Sequence, residues 1–275
     1  MRKKTAKKIG IYFFLLLTLI IFIGPIVWIF ALSIRPPESA FQYPPTLIFK
    51  PSLDAFYQVF VSPGIQLKQL FNSILISLGA VLINLPLAFL AAYALSRFPI
   101  KRKGLIMGWY LGLLMAPPVV FLIPYFILMN NIGLSGTHLS IILVLQLITI
   151  PFSVWLLKSF IDDIPLEIEE AAQIDGAGTW KILRSITFPL CGPGIIVTTM
   201  FAFVFAWNNA IFPIVLSVQK TATIQIGAFS YFGASGVQWS LIGAIAVAAM
   251  VVPMVIFLVL DKFVVRGLTF GSVKG

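Results

Sequence analysis

GLIMGWYLGLLMAPPVVFLIPYFILMNNIGLSGTHLSIILVLQLITIPFSVWLL runs from Gly104 to Leu157 without a single formal charge. A membrane-crossing helix needs about 20 apolar residues, so this stretch is too long for one crossing. Its polar middle, Asn130-Asn131-Ile132-Gly133-Leu134-Ser135-Gly136-Thr137-His138, divides it into a hairpin of two spans near 105–129 and 139–158. Working outward, the same rule predicts spans at 9–34 and 69–96 before the hairpin, and at 191–217 and 239–261 after it. The fold class expected is an all-α integral membrane protein with six transmembrane helices, forming one transmembrane domain over 1–275. The first span has a basic start, but its apolar run exceeds the roughly 7–15 residues of a cleaved signal core, so it reads as a retained anchor.

Composition agrees. Of 275 residues, 60% are hydrophobic and 10% charged, with a mean hydropathy of +1.03. Soluble domains carry roughly 25% charged residues, and this chain cannot supply such a polar skin. The net charge of +10 would suggest nucleic acid in a soluble protein. Here it follows from topology. Arg2, Lys3, Lys4, Lys7 and Lys8 precede the first span. Arg97, Lys101, Arg102 and Lys103 follow the second, Lys158, Lys181 and Arg184 lie in the 159–190 region or at its edge, and Lys262, Arg266 and Lys274 follow the sixth. The opposite side holds only Arg35, Lys50, Lys68 and Lys220. The excess of Lys and Arg marks the cytoplasmic side, so both termini are predicted to be cytoplasmic. The loops 35–68, 130–138 and 218–238 then lie outside. The first contains Pro36, Pro37, Pro44, Pro45, Pro51 and Pro63, which suit an extended cap with a short helix at 52–60.

Several chemistries are excluded. One Cys and one His (Cys191 and His138) rule out a disulfide framework and the usual zinc ligand sets, so no metal site is expected. No Gly-x-x-x-x-Gly-Lys-Ser/Thr phosphate loop occurs, and no predicted span carries an ionisable residue near its centre, as a proton relay would require. No catalytic residues, and no cofactor bound by this chain, are expected.

Six of the nine acidic residues (Asp162, Asp163, Glu167, Glu169, Glu170, Asp175) instead fall in one cytoplasmic segment. Pro165 suits the first turn of a helix whose acids complement the helix dipole. Gly176 can take the left-handed conformation that ends it. Thr179 can cap a second helix, with Trp180, Leu183 and Thr187 on one face and Ile182 and Ile186 on another. Two short helices at a sharp elbow are therefore predicted between spans 4 and 5. Anionic headgroups attract basic helices; an acidic helix with small alanines suits a groove on a protein partner.

The run Glu170-Ala171-Ala172, three residues, Gly176, nine residues, then Ile186-x-Phe188-Pro189 resembles the Glu-Ala-Ala-x3-Gly-x9-Ile-x-Leu-Pro signature of ABC-importer permeases, with Phe188 in place of the usual Leu. The Asp175-Gly176-Ala177 extension is similar too. Tyr93-Ala94-Leu95-Ser96-Arg97-Phe98, Pro117-Pro118-Val119-Val120 with Ile123-Pro124, and Trp207-Asn208-Asn209 resemble the carbohydrate class, although Asn209 stands where that class often has Glu. The tail Arg266-Gly267-Leu268-Thr269-Phe270-Gly271-Ser272-Val273-Lys274-Gly275 resembles that of the shorter, MalG-type subunit of maltose-like systems.

That resemblance implies a permease subunit of an ATP-driven, binding-protein-dependent sugar importer in a bacterial or archaeal cytoplasmic (inner) membrane. Its implied partners are a second, MalF-type permease, two ATPase subunits that bind the ATP and Mg, an extracytoplasmic sugar-binding protein, the sugar and the lipid membrane, with no nucleic acid. Glu170, Ala171, Ala172, Asp175, Gly176 and Trp180 would form the coupling helix seated on an ATPase. Leu268, Thr269, Gly271 and Lys274 would enter the ATPase dimer. Tyr231, Phe232, Gly233, Ser235 and Gly236 would probe the binding protein. Trp207, Asn208, Asn209, Gln146, Thr149 and Asn84 offer the aromatic faces, amides and hydroxyls of a sugar path; interhelical hydrogen bonding is the alternative role for each. An ABC permease for polyamine, peptide or phosphonate, an ion-coupled carrier, and a structural membrane subunit are the competing readings.

Overall fold

The computed structural model of the chain describes residues 2–36, 48–61, 64–233 and 236–270, without the side chains of 2–7, 9 and 263–270. Most of the described residues are helical, as a chain in hydrocarbon requires: an α-helix satisfies its backbone hydrogen bonds within the segment. The chain forms two compact units, Met1–Lys68 with Gly227–Val251, and Gln69–Ile226 with Val252–Gly275.

The first unit contains α1 (Arg2–Ser33), α2 (Asp54–Phe60) and the beginning of the last helix. α1 is exposed along its apolar length, as a lipid-facing helix would be. After it, Ser52 N donates to Ile34 O at 2.8 Å, and the Arg35 guanidinium lies 4.7 Å from the Phe49 ring centre. α2 falls within the 52–60 region predicted. At Gly243 a Cβ would meet Ser33 N at 2.9 Å, a backbone approach that only a residue without a side chain permits.

The second unit is built on α3 (Ile65–Arg97) and α6 (His138–Asp162). Between them lie α4 (Lys103–Met115), a 3-10 turn (Pro118–Phe121) and α5 (Leu122–Asn131). After α6 come α7 (Leu166–Ile174), α8 (Thr179–Ile182), a π-helical stretch (Leu183–Thr187), α9 (Phe188–Leu190), α10 (Gly192–Trp207), α11 (Ile211–Leu216) and α12 (Ile224–Phe229). The chain then returns to the first unit with a two-stranded hairpin, β1 (Phe232–Gly233) and β2 (Gly236–Val237), and the start of α13 (Trp239–Phe270), whose later residues belong to the second unit. Two apolar clusters fill the unit. One joins Ala88, Tyr93, Val154, Leu157 and Ile161 to Leu183 and Cys191; the other joins Ile76, Ile141, Leu145 and Phe212.

Among the described residues, four helices are long and apolar enough to cross a membrane, or up to six if each of two bent pairs is one span. α1, α3, α6 and α13 correspond to the predicted first, second, fourth and sixth spans; α3 and α6 extend beyond both predicted limits, α13 extends beyond its C-terminal limit, and α1 begins earlier but ends at Ser33, one residue short. The other two predictions need correction. The single helix expected at 105–129 is broken, with the halves Lys103–Met115 and Pro118–Asn131 bent by 96°. Pro117 and Pro118 supply the reason, since proline removes a donor and pushes the preceding residue out of the helical region. The helix expected at 191–217 stops at Trp207 and restarts at Ile211. Asn209 Oδ1 accepts from Phe212 N at 3.1 Å and so serves the new helix start. The segment Gly192–Trp207 is itself bent by 76° from Thr179–Leu190.

Candidate functional site

The acidic segment folds as two short helices at an elbow. Pro165 occupies the N-cap of α7, followed by Glu167 and Glu169 in the first turn. Gly176 ends the helix at φ +82°. Its N–H donates to Gln173 O at 2.9 Å, and Ala177 N–H donates to Ala172 O at 2.9 Å. Those two bonds are the Schellman closure, which satisfies helix-end carbonyls through a left-handed residue. A Cβ at Gly176 would meet nothing within 4 Å, so φ alone calls for glycine there.

The second half of the elbow departs from expectation. Gly178 takes the N-cap with extended backbone, while Thr179 is the first residue of α8 and makes no capping bond. Leu183–Thr187 is π-helical, and its wider turn shifts the phase of everything after it. Trp180 and Leu183 still border one hollow, as expected of a shared face, whereas Thr187, at the far end of the wider turn, is fully buried while Trp180 is 66% exposed. Trp180, Arg184 and Phe188 border this apolar hollow of about 470 Å³, which Leu85, Phe89 and Leu157 help to line.

Burial separates the acids of α7. Glu167 and Glu170 are exposed; Glu169 is 2% exposed. Glu169 Oε1 accepts from Arg97 Nε at 2.9 Å and Thr187 Oγ1 at 2.9 Å, and Oε2 accepts from Tyr93 Oη at 3.1 Å. A buried carboxylate is tolerable only with such donors around it. Arg97 Nη2 donates to Ile161 O and Ile164 O, each at 2.9 Å. The guanidinium thus closes the C-terminal end of α6 while it neutralises Glu169.

The outer face of the elbow has a different character. Glu170, Ala171, Asp175, Gly176 and Trp180 are exposed and Ala172 partly so. Among them Ile168, Ile174 (88% exposed) and Leu166 present large apolar side chains to the surface.

Residues 84–270 match the family model described as "Binding-protein-dependent transport system inner membrane component". The chain belongs to that family. It is therefore an ABC permease, a multi-pass protein of the inner-membrane transport class. It is 30% identical over 278 residues to the trehalose/maltose transport system permease MalG of Thermococcus litoralis, covering 100% of both chains. It is 32% identical over 257 residues to the trehalose transport system permease SugB of Mycobacterium tuberculosis, covering 91% of this permease and 92% of that one. A chain of a bacterial ABC transporter that imports the acidic polysaccharide alginate superposes with a TM-score of 0.78 at 20% identity, over 96% of this permease and 98% of that chain. That likeness is one of fold.

Elsewhere in the permease, three of the polar side chains singled out from sequence, Gln146, Thr149 and Asn209, hydrogen-bond to their own backbone. Gln146 Nε2 donates to Ala80 O at 3.2 Å and Ile142 O at 2.9 Å. Thr149 Oγ1 donates to Leu145 O at 3.1 Å. Trp207 is buried and stacked on Phe203, with ring centres 5.6 Å apart. Asn209 caps α11 as described, and Asn208 is exposed at the end of α10. Asn84 is fully buried with neither amide atom hydrogen-bonded. Gln146 and Thr149 adjoin each other on α6, whereas Trp207, Asn208 and Asn209 gather at the end of α10.

In the 218–238 segment Phe232 pairs with Val237 and Gly233 with Gly236, which has φ +107°. Tyr231 is partly buried, and burial pushes its phenol pKa up, so it remains a neutral donor. Ser235 lies outside the described residues. At the C-terminus Leu268 and Thr269 continue the backbone of α13; Gly271 and Lys274 lie outside the described residues.

Sequence reasoning missed the roles of Glu169, Arg97, Tyr93 and Thr187. In the sequence the Tyr93–Phe98 run carries only a family resemblance, and Glu169 is one acid among six. A lone Arg closing an apolar helix, opposite an acidic segment, is the signal that pointed to a pair.

Proposed function

We propose that this permease is one half of a heterodimeric pore in an ATP-driven, binding-protein-dependent sugar importer. The observation that carries the coupling role is the outer face of the elbow. Exposed Leu166, Ile168, Ile174 and Trp180 alternate with Glu167, Glu170 and Asp175 on a segment outside the long apolar helices. Exposed apolar side chains rimmed by charge mark an interaction site. An ATPase subunit with an apolar cleft and basic rim fits this face, Glu170 and Asp175 meeting the basic groups while Ala171, Ala172 and Trp180 enter the cleft. Six spans with both termini cytoplasmic place the elbow on the side where ATP is available. ATP and Mg belong to the two ATPase partners.

Closure of the ATPases would move the elbow, tilt the attached spans and alternate access to the pore, with differential contacts in the two states supplying the bias. The sugar class is supported by the permeases of trehalose and maltose systems that the chain resembles over 91% or more of its length. The 218–238 segment is assigned to the binding protein, the C-terminal residues to the ATPase dimer, and Asn208 with its neighbours to the sugar path.

Gentle solubilisation of native membranes and capture of this chain tests the assignment, together with uptake of labelled trehalose, maltose and diacetylchitobiose by cells with and without it. Recovery of an ATPase and a second permease, with loss of uptake on deletion, is expected. A chain that comes down alone, or deletion that leaves all uptake intact, overturns it. Glu170→Lys is expected to reduce the co-purified ATPase at least tenfold; undiminished recovery removes Glu170 from the docking face.

A further inference from the structure

Four chain segments meet at one ion pair. Arg97 ends α3, and its guanidinium reaches the terminal carbonyls Ile161 O and Ile164 O that follow from α6. Glu169, at the other end of the bond, belongs to α7. Thr187, which donates to the same carboxylate oxygen as Arg97, belongs to the π-helical stretch leading into α10. Tyr93, one turn before Arg97, holds the second oxygen. The pair is enclosed, with Arg97 11% and Glu169 2% exposed.

We propose that Glu169 and Arg97 form the joint through which motion of the elbow reaches α3 and α6, so that they set how much transport each ATP hydrolysed produces. The inference rests on the coupling reading above. Helices carry load only where they are fixed to what moves them, and α7 is a short helix with an outer face given over to partner contact. Its inward grip is this carboxylate. Neighbouring Glu170 faces outward, so two adjacent glutamates divide the work: one attaches the ATPase, the other transmits. Both members of the pair are positioning residues. Arg serves where Lys cannot, because one planar guanidinium can face a carboxylate and two carbonyls together.

The test uses the whole transporter, with partner permease, ATPases and binding protein, reconstituted in liposomes. Three quantities are measured: ATPase retained, ATP hydrolysed, and accumulation of whichever of [14C]trehalose, [14C]maltose or [14C]diacetylchitobiose the unmodified complex carries. Glu169→Gln and Arg97→Lys are expected to keep the ATPase attached and hydrolysis within twofold, while sugar accumulated per ATP falls about tenfold. The double variant Glu169→Leu with Arg97→Met removes the pair without stranding a charge, and replacement of a buried pair by apolar groups is commonly neutral for stability. If the joint transmits motion, this double variant folds and docks yet stays uncoupled.

Restored coupling in the double variant would show that the pair only avoids a stranded charge, and would overturn the proposal. So would unchanged sugar per ATP in the single variants, or loss of the ATPase in step with uptake. Failure of the unmodified chain to bring down an ATPase or to carry any of the sugars instead sinks the coupling reading itself.

Discussion

α3 is gripped at both ends by polar side chains, but the two grips differ in kind. Near its start, Asn72 Nδ2 donates to Lys220 O at 3.0 Å and Ala222 O at 2.9 Å, while Asn72 Oδ1 lies 2.9 Å from His138 Nε2. Ser73 Oγ accepts from Ile224 N at 2.9 Å and donates to Gln225 Oε1 at 3.3 Å, and Gln225 Nε2 donates in turn to Trp207 O. Thr221 Oγ1 and Gly136 O, 3.2 Å apart, tie the two loops to each other. At its end, the grip is the buried Arg97–Glu169 pair. Amide hydrogen bonds to backbone are worth about 0.5–1.5 kcal/mol each and hold loops in shape. A desolvated ion pair is costly to break from one side, because the survivor is left charged and alone. The neutral end suits static support and the charged end suits a joint under load.

The largest expected effect comes from breaking the charged end. Arg97→Ala strands Glu169 and should cost about 3–5 kcal/mol, seen as a marked fall in the thermal midpoint of the detergent-solubilised protein. A loss under 1 kcal/mol would remove the distinction between the ends. Packing beneath the same end is tested by Gly194→Ala, whose Cβ would overlap Phe160 Cγ and lie 2.7 Å from Phe160 Cβ. Those atoms sit close to the α6 backbone and cannot swing away, so overpacking of about 1–3 kcal/mol is expected in the same assay. At the neutral end, Asn72→Ala leaves two carbonyls and His138 without their partner, for about 1–3 kcal/mol. It should raise proteolytic nicking near 218–222 while leaving sugar per ATP unchanged; a tenfold coupling defect here would make the neutral end a joint as well. The smallest effect belongs to Gly176→Ala, where open space around the missing Cβ leaves only the left-handed strain, about 1–2 kcal/mol. Gly176→Asn should cost less, since Asn visits that region; equal costs would mean that something other than φ selects glycine.

Much of this architecture was legible before any coordinates. Charge-free runs marked α1, α3, α6 and α13, and Pro165 with Gly176 bracketed α7 to within a residue or two. The break after Met115 was written in Pro117-Pro118 yet read as part of one span, because hydropathy averages over a window and ignores a missing backbone donor. The stop at Trp207 was also hidden: Asn208-Asn209 looked like sugar-facing polarity, whereas Asn209 turns back on the backbone of α11. Trp180 and Thr187 were expected to share a face on the assumption of 3.6 residues per turn, which the π-helical stretch breaks.

What the sequence determined by itself is the solvent the chain lives in, the position of its spans and elbow, and its kinship with binding-protein-dependent permeases. Each depends on residues adjacent in the chain, through local sums of hydropathy, local turn chemistry, or a pattern of fixed spacing. Only the tertiary structure decided which of two adjacent glutamates is buried, and which polar groups grip α3. Arg97 and Glu169 are 72 positions apart and Asn72 and Lys220 148 apart. Whether such groups meet depends on helix phase and on the bends between them, and a carboxylate becomes a joint only when folding brings its donors to it and removes the water.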